Sequence, residues 1–411
     1  MQKITEILIQ KISTNFDIIE NWFDKNFKKH PPLFYNSIDL RHSGFKIAPV
    51  DTNCFPAGFN NLSEISREKA KLIADEFLNQ HFGSAKKILI VPENHTRNLR
   101  YLENVRNLQE ILSAKREVVI GSLLEEIKEI TKIDLENGHF IEINPLVKKE
   151  YSLTTAAGFS PDIIISNNDF TDGIPAILED LKLPIIPSQK LGWYNRTKSQ
   201  HFTIYNKLAE ELAGLIDIDP WLISSMHRSC AQVNFKEQIG TAELANYVEE
   251  LILELRKKYQ EYGIEEEPYC YMKADNGTYG MAVLPVFSGA DVLEINKKER
   301  NKMATLKGSV QSTSILIQEG IKTVDKIHDK ISEPMIYMIG GKVVGNLFRS
   351  NENRDEKISL NAMGASFFDL EILSDEQIKL GSEKNKITAL YSVIARLAAL
   401  ASSIENSNIS L

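Results

Sequence analysis

The spacing of apolar runs changes character part-way along the chain, and that change restricts the fold more than any single motif does. Before residue 225, short apolar runs alternate with helical periodicity. The runs are KKILIVPE (86–93), EVVIGSL (117–123), PDIIISNND (161–169) and LPIIPS (183–188), with helices predicted over 98–114 and 174–182. Strands alternating with helices make an α/β layer with a parallel sheet. Beyond residue 240 the pattern is different. A long helix over 240–260 leads into YCYMKAD, YGMAVLPVF, VLEIN, TSILIQEG, PMIYMIG and KVVGNLFRSN, an α+β arrangement of mostly antiparallel character. The helix NKITALYSVIARLAALASSIE closes the chain, its apolar face set to pack on the core. The boundary falls between 225 and 240, with no repeats and no low-complexity linker.

At 411 residues the chain is too long for one ordinary core, so two or three domains are expected. A net charge of −8 argues against nucleic-acid binding, which runs on an excess of Lys and Arg, but leaves room for a local basic pocket. Cys54, Cys230 and Cys270 form no CxxC pair, which fits a reducing compartment without a disulfide framework or zinc site. Residues 2–28 have the spacing of an amphipathic helix and carry charges throughout, unlike a signal peptide. No segment is expected to span a membrane. These features point to the cytoplasm. Short β-like pieces at 36–41 and 46–50 precede a helix that Ser63 could cap.

The stretch YMKADNGTYGMAV (271–283) places Lys273 before a short glycine-bearing loop. Gly277 and Gly280 relieve the Cβ penalty where successive backbone N–H groups turn inward to bind an anion, and Lys273 would add a point charge for a phosphate. A plain hairpin with an exposed Lys explains the same residues. No GxxxxGK[ST] motif occurs. Downstream, SILIQEGI (314–321) suits a hinge whose backbone pairs with an adenine edge, with Glu319 reaching the sugar. EPMIYMIGGKVVGNLFRSN (333–351) delivers Arg349, and ISLNAMGASFF (358–368) carries Asn361. A surface ion pair with Glu352 or Asp355 is the plainer reading of Arg349. The order of these pieces resembles the ATP-grasp fold, in which two α+β lobes close on ATP.

Such ligases hold magnesium with an acid-x-Asn strand, whose alternate residues share one face. Three triplets qualify: Asp51-Thr52-Asn53, Glu142-Ile143-Asn144 and Glu294-Ile295-Asn296. The segment DLRHSGFKIAPVDTNCFPAGFNNL (39–62) favours the first. It resembles the N-terminal signature of the third-type, proteobacterial glutamate–cysteine ligases, and is similar in arrangement to eukaryotic glutathione synthetase, a permuted ATP-grasp protein with an early metal triplet. GWYNRTKSQHF (192–202), DPWLI (219–223), IQEGIKT and YMIGGKVVGNLFRSN extend the resemblance over nearly the whole chain.

The resemblance implies an N-terminal α/β substrate-binding domain over 1–230, which includes the metal-binding strand 46–55, and an ATP-grasp-like domain over 231–411. It implies ATP and Mg²⁺, with Asp51, Asn53 and Asp275 as metal ligands; Asp275 is a departure, since glutathione synthetase has a Glu there. Lys273, Lys236, Gly277, Thr278, Tyr279, Gly280, Gln318, Glu319 and Ile321 would bind ATP. Arg41 and Arg349 would clamp a substrate carboxylate or the transferred phosphate, a task that suits the planar guanidinium fork. Arg196 and Asn361 join them at the substrate. The implied activity joins the γ-carboxylate of L-glutamate to L-cysteine. Another carboxylate–amine ligation, or nucleotide binding without catalysis, are the alternatives. Small-molecule partners are expected, without nucleic acid or membrane, and a homo-oligomer is left open. The cluster Trp193, Tyr194, Arg196, Lys198 and His201 either lines an amino-acid pocket or caps the α/β domain. His42 reads as structural, Cys54 as a packing thiol, and Asn167-Asn168-Asp169 as a turn or a strand-end ligand site.

Overall fold

The computed structural model describes residues 2–95, 97–276, 283–296, 299 and 313–409. Helices α1 (Gln2–Thr14) and α2 (Phe16–Lys29) lead into β1 (Tyr35–His42) and β2 (Ile47–Asn53). Helix α3 (Glu64–Phe82) opens the α/β layer, made of β3 (Lys87–Pro92), α4 (Leu99–Leu112), β4 (Glu117–Ser122), β5 (Thr131–Asp134), β6 (Phe140–Lys149), β7 (Ser152–Thr155), β8 (Ile163–Asn167) and β9 (Ile185–Ile186). Then come α5 (Lys198–Ile216), β10 (His227–Val233), α6 (Thr241–Glu261), β11 (Cys270–Ala274), β12 (Leu284–Val286) and α7 (Gly289–Leu293). The rest of the chain forms β13 (Thr313–Glu319), β14 (Lys326–Ile327), β15 (Lys330–Ile339), β16 (Lys342–Ser350), β17 (Ser366–Asp369), β18 (Ile378–Lys379) and the closing helix α8 (Lys384–Ile409).

Among the described residues these strands make three sheets. The expected parallel layer has the order β5-β6-β4-β3-β8-β9, with β3, β4, β6, β8 and β9 parallel. A four-stranded antiparallel sheet runs β10-β13-β11-β12 and packs on α6. The third sheet, β17-β16-β15-β1-β2, is antiparallel and crosses the expected boundary between residues 230 and 231, because β1 pairs with β15.

That third sheet is the centre of the molecule, and the pleat explains why. On β15, Ile336 and Met338 face a core built with α1, α2, α5 and α8, whereas Met335, Tyr337 and Ile339 face the core shared with α3, α4 and the parallel layer. Alternate residues of a strand point to opposite faces, so a continuous apolar run marks a strand buried on both. The closing helix α8 is long and apolar enough to cross a membrane by length and composition, contrary to the expectation above. Here 72% of its apolar window is buried inside the protein, as in a core helix.

Three further expectations need correction. Residues 2–28 form two helices that meet at Asn15, whose side chain turns back to the Lys11 carbonyl. The helix predicted over 174–182 is only a 3₁₀ turn, Ala176–Leu178, and Asp180 adopts a positive φ of 55°, which ends helical geometry. The expected strand VLEIN starts inside α7. Ser288 and Asp291 form a reciprocal capping box there, and a strand offers nothing equivalent. Ser63 does cap α3, accepting the Ser66 N–H.

Gly58 shows how tightly the sheet and the α/β layer meet. Its φ is +131°, its N–H donates to Asn104 Oδ1 (2.8 Å), and an added Cβ would collide with the Tyr337 hydroxyl. That hydroxyl already donates to the Ala57 carbonyl (2.7 Å). G58A is expected to lower unfolding free energy by about 2 kcal/mol or more through clash and backbone strain together. In urea unfolding, Y337F in the G58A background should recover only the steric part; recovery of full stability would show that φ carries no strain.

Candidate active site

Where β1 and β2 pair, Asp39 lies opposite Asp51 but Leu40 lies opposite Pro49, so Val50 is an extra residue without a cross-strand partner. Such bulges leave backbone groups free and re-aim neighbouring side chains. The freed Val50 carbonyl accepts from Lys273 Nζ of β11 at 2.9 Å. Lys273 also donates to Gln318 Oε1 at 2.6 Å. Beside this junction the Asp51 carboxylate bonds Lys198 Nζ at 2.6 Å, from the first turn of α5. Asp51, Lys198 and Lys273 line one cavity of about 70 Å³ with Arg41, Arg349 and Asn361.

The electrostatics follow from burial and proximity. Desolvation pushes the Lys273 ammonium down to about 8 despite the attraction of Asp51. Burial would raise Asp51, yet Lys198 and Lys273 outweigh it and hold the carboxyl at about 2, so Asp51 is ionised. Asp51 is still 32% exposed, and Thr52 N–H and Lys198 both take its Oδ1. Among the described residues Oδ2 has no partner.

Asp39, Asp51, Arg349 and Asn361 also line a second cavity of about 190 Å³, which continues past Asn53 and Arg196 to the carboxyl ends of β3 and β8. Between the two cavities lies a buried ion cluster. Glu333 accepts from Arg41 Nε (2.9 Å) and Arg349 Nε (2.8 Å), and Asp39 accepts from Arg349 Nη2 (2.7 Å). Burial works to raise both carboxyls. Two guanidinium groups hold Glu333 below its ordinary range, whereas Asp39, with one guanidinium and two neighbouring acids, sits above its own. Deeper still, Arg196 donates to the Thr52 carbonyl (2.7 Å) and to Glu405 of α8 (2.6 Å), and stacks 5.0 Å over Trp193.

A family profile described as glutamate-cysteine ligase matches residues 9–406 of this chain. The chain belongs to that family. A crystal structure of a protein from Methylobacillus flagellatus, provisionally named gamma-glutamylcysteine synthetase, is 38% identical over 98% of this chain and 96% of that one, with a TM-score of 0.90. Two looser likenesses superpose too poorly to bear on the fold. D-alanyl-alanine synthetase A of Vibrio cholerae is 14% identical over 76% and 81% of the two chains, with a TM-score of 0.35. A glutathione synthetase-like effector of Globodera pallida is 11% identical over 85% and 76%, with a TM-score of 0.36. No curated protein matches the chain.

Of the residues singled out from the sequence, the fold brings Asp51, Asn53, Lys273, Arg41, Arg196, Arg349 and Asn361 to the two connected cavities. Several of the expected site residues are engaged by the protein itself. Arg41 donates to Glu333, to Tyr271 and to the carbonyls of Ile321, Glu356 and Ile358, so its fork is engaged by the protein rather than open to substrate. Arg349 is buried in the ion cluster, not paired with Glu352 or Asp355, and among the described residues its Nη1 has no partner.

Asp275 is not placed as a metal ligand: Oδ1 accepts the Ser199 N–H (2.7 Å) and Oδ2 accepts the hydroxyls of Ser199 (2.7 Å) and Ser314 (3.1 Å). It is the anion at the start of α5, where helix N–H groups favour negative charge. Glu319 is not free for a sugar, since its carboxylate bonds Lys46 (2.7 Å), Trp221 Nε1 (3.1 Å) and the Met226 N–H (3.2 Å). The hinge reading of Gln318, Glu319 and Ile321 changes for a related reason. β13 is flanked by β10 and β11, the Glu319 N–H donates to the Met226 carbonyl, and the Ile321 carbonyl accepts from Arg41. Lys236 is exposed on the turn after β10, outside both cavity linings. Gly277, Thr278, Tyr279 and Gly280 lie outside the described residues.

Lys198, Asp39 and Glu333 are the site groups that sequence reasoning missed or left undecided. Lys198 had one legible sign. It follows the cap Thr197 directly, and a Lys in the first turn of a helix opposes the helix dipole unless an anion faces it. His42 is buried against Asp325 (3.0 Å) and Thr5 (3.1 Å), outside both cavity linings, and burial pushes the Cys54 thiol up to about 11. Among the described residues neither other acid-x-Asn triplet lines either of these two cavities.

Glu405 ties the deep end of the site to α8, taking Arg196 and His201 Nδ1 together. Burial would raise its carboxyl, but Arg196 and His201 hold it at about 2, below the ordinary 4.5. A depressed carboxyl stabilises the fold fully above its ordinary value, and that share is lost as pH falls from about 4.5 toward 2. E405Q should therefore flatten the acid limb of stability, and lower stability at pH 7 by about 3–5 kcal/mol because Arg196 is left buried without its counter-charge. Urea unfolding across pH checks both; an unaltered acid limb would assign it to other carboxylates.

Proposed function

We infer that the protein is an ATP-dependent ligase that joins the γ-carboxylate of L-glutamate to the amine of L-cysteine, giving γ-glutamylcysteine, the first step of glutathione synthesis. One observation carries the reading beyond family membership. Asp51 near the start of the chain and Lys273 past its middle meet in one cavity, bridged by the Val50 carbonyl. A soluble metabolite ligase of this kind belongs in the cytoplasm.

A carboxylate does not condense with an amine in water, because the oxygen that must leave is a poor leaving group. The γ-carboxylate oxygen attacks the terminal phosphorus of ATP and ADP leaves. The amine then attacks the acyl carbon, phosphate departs, and the amine nitrogen gives up a proton. The transferred phosphoryl group is anionic and loosely bonded in transit, so positioning and charge neutralisation dominate. Lys273 and Lys198 supply two ammonium groups to the smaller cavity, and the open Nη1 of Arg349 supplies part of a guanidinium.

Magnesium fits the donor set. Asp51 is ionised with one oxygen open, and Asn53 lies two residues on in the connected cavity. Mg²⁺ is commonly held by one or two side chains with substrate phosphates completing the shell, so no larger acid cluster is required. When bound, it would neutralise phosphate charge. Asp51 and Asn53 are the residues to hold it, with Lys198 giving way from Asp51.

K273A and D51A are expected to lower glutamate- and cysteine-dependent ADP release by about 10²–10³ while keeping a cooperative melt, shifted to lower temperature by the buried groups left unpaired. ADP release with glutamate alone, cysteine alone and both, with product identified by mass, tests the reading. Wild-type turnover in either variant, or no dependence on glutamate in the parent, would overturn it.

A further inference from the structure

The two connected cavities differ in the charges that line them. In the smaller one Lys198, Lys273 and the open edge of Arg349 face the anionic chemistry, and the larger meets it at Asp39, Asp51, Arg349 and Asn361. Just past β8, Asp169 lines the larger cavity and is 7% exposed. The residue is fixed on three sides. Its N–H donates to Glu93 Oε1 (3.2 Å), its carbonyl accepts from the Trp193 N–H (2.9 Å), and Oδ1 accepts from the Thr171 N–H (3.0 Å) and hydroxyl (2.8 Å). Its Oδ2 is buried and, among the described residues, has no hydrogen-bond partner.

An unpaired buried carboxylate oxygen is costly, and native folds keep such a group where something else completes it. The missing partner must be a donor, and a cationic one suits a carboxylate best. A divalent metal fits poorly. Asn167 beside it is committed to Tyr101, Asn104, Tyr35 and the Pro56 carbonyl, and Glu93 holds the Asp169 N–H and pairs with His95. An ammonium, with several N–H donors on one centre, needs only the one oxygen. An ammonium acceptor in the larger cavity, with phosphate-side cations in the smaller one that joins it, matches an α-amino acid carrying a distal carboxylate.

We propose that Asp169 is the residue that selects the α-ammonium of the acid substrate, so that glutamate is held by its amino end while its γ-carboxylate reaches the Lys198–Lys273 cavity. The proposal rests on the ligase reading above and names the group that sets its substrate choice. Its place at the carboxyl end of a parallel strand is where open α/β sheets gather ligands.

The test compares glutamate with glutarate, the same diacid without the amino group, in ATP- and cysteine-dependent phosphate release. Wild type should prefer glutamate by about 10³-fold or more, as sites built to pair a substrate N–H do. D169N keeps Oδ1 for Thr171 and replaces the charge. Its kcat/KM for glutamate should fall about 10²-fold, with glutarate turnover and the KM values for cysteine and ATP unchanged. Unchanged glutarate turnover doubles as proof that the variant is folded. Retained preference for glutamate, an equal loss with both acids, or a rise confined to the KM for cysteine would each overturn the proposal. If wild type itself releases no phosphate with glutamate, the ligase reading falls first, which is distinguishable from turnover that ignores the D169N change.

Discussion

The site depends on one buried ammonium finding its acceptors across two sheets. Lys273 is 8% exposed, and a charge so withdrawn from water must be bonded or it neutralises. Two of its donors go to the Val50 carbonyl and Gln318, which leaves one for a ligand. The Val50 carbonyl is available only because the strand bulges there, beside Pro49, which has no N–H to offer a ladder. Gln318 is itself pinned, donating to Ser225 Oγ at 2.8 Å. The contact therefore joins β2 of the central sheet to β11 and β13 of the four-stranded sheet. The cation and the Asp51 carboxylate come together only when those two sheets are docked.

The ion cluster around Glu333 serves the same docking. Replacing a buried ion pair with well-packed apolar groups is often neutral or stabilising, so stability alone does not account for two arginines and two acids there. Their geometry does. Arg41 reaches from β1 to the carbonyls of Glu356 and Ile358, and Tyr271 of β11 meets the same fork, so one guanidinium ties the central sheet to a loop and to the neighbouring sheet. Glu333 and Asp39 hold Arg349 from two sides and leave one edge of its fork toward the cavity. Apolar replacements would pack, but they would not fix the direction of that edge.

Much of this was legible in the sequence, and the losses have physical causes. The strand–helix alternation predicted the parallel layer, and the run PMIYMIG predicted a strand, which the structure buries on both faces. Asp51 and Lys273 were paired through a resemblance, and their meeting could not have been read from spacing. Asp275 and Glu319 misled because an acid near a glycine loop or at a strand end looks like a ligand. What takes them is remote in the chain: Ser199 for Asp275, and Lys46 with Trp221 for Glu319. Local pattern carries no information about such partners. The short helix α7 is a different failure, since its Ser288–Asp291 capping box was present in the sequence and simply outweighed by the β-like composition of VLEIN.

The start of α5 explains why these separate contacts act together. Arg196 and Thr197 approach it, Lys198 and Ser199 form its first turn, and His201 completes it. Through them α5 touches Asp51 on β2, Asp275 after β11 and Glu405 on α8. Asp275 suits the helix dipole and Lys198 opposes it, so Lys198 keeps its place only while Asp51 faces it. An anion arriving beside Lys198, or a cation arriving at Asp51, competes for that pair directly. The helix that orders the cleft is therefore also the element whose first turn carries that pair, and its ties to β11 and α8 fix the backbone from which Lys198 reaches Asp51.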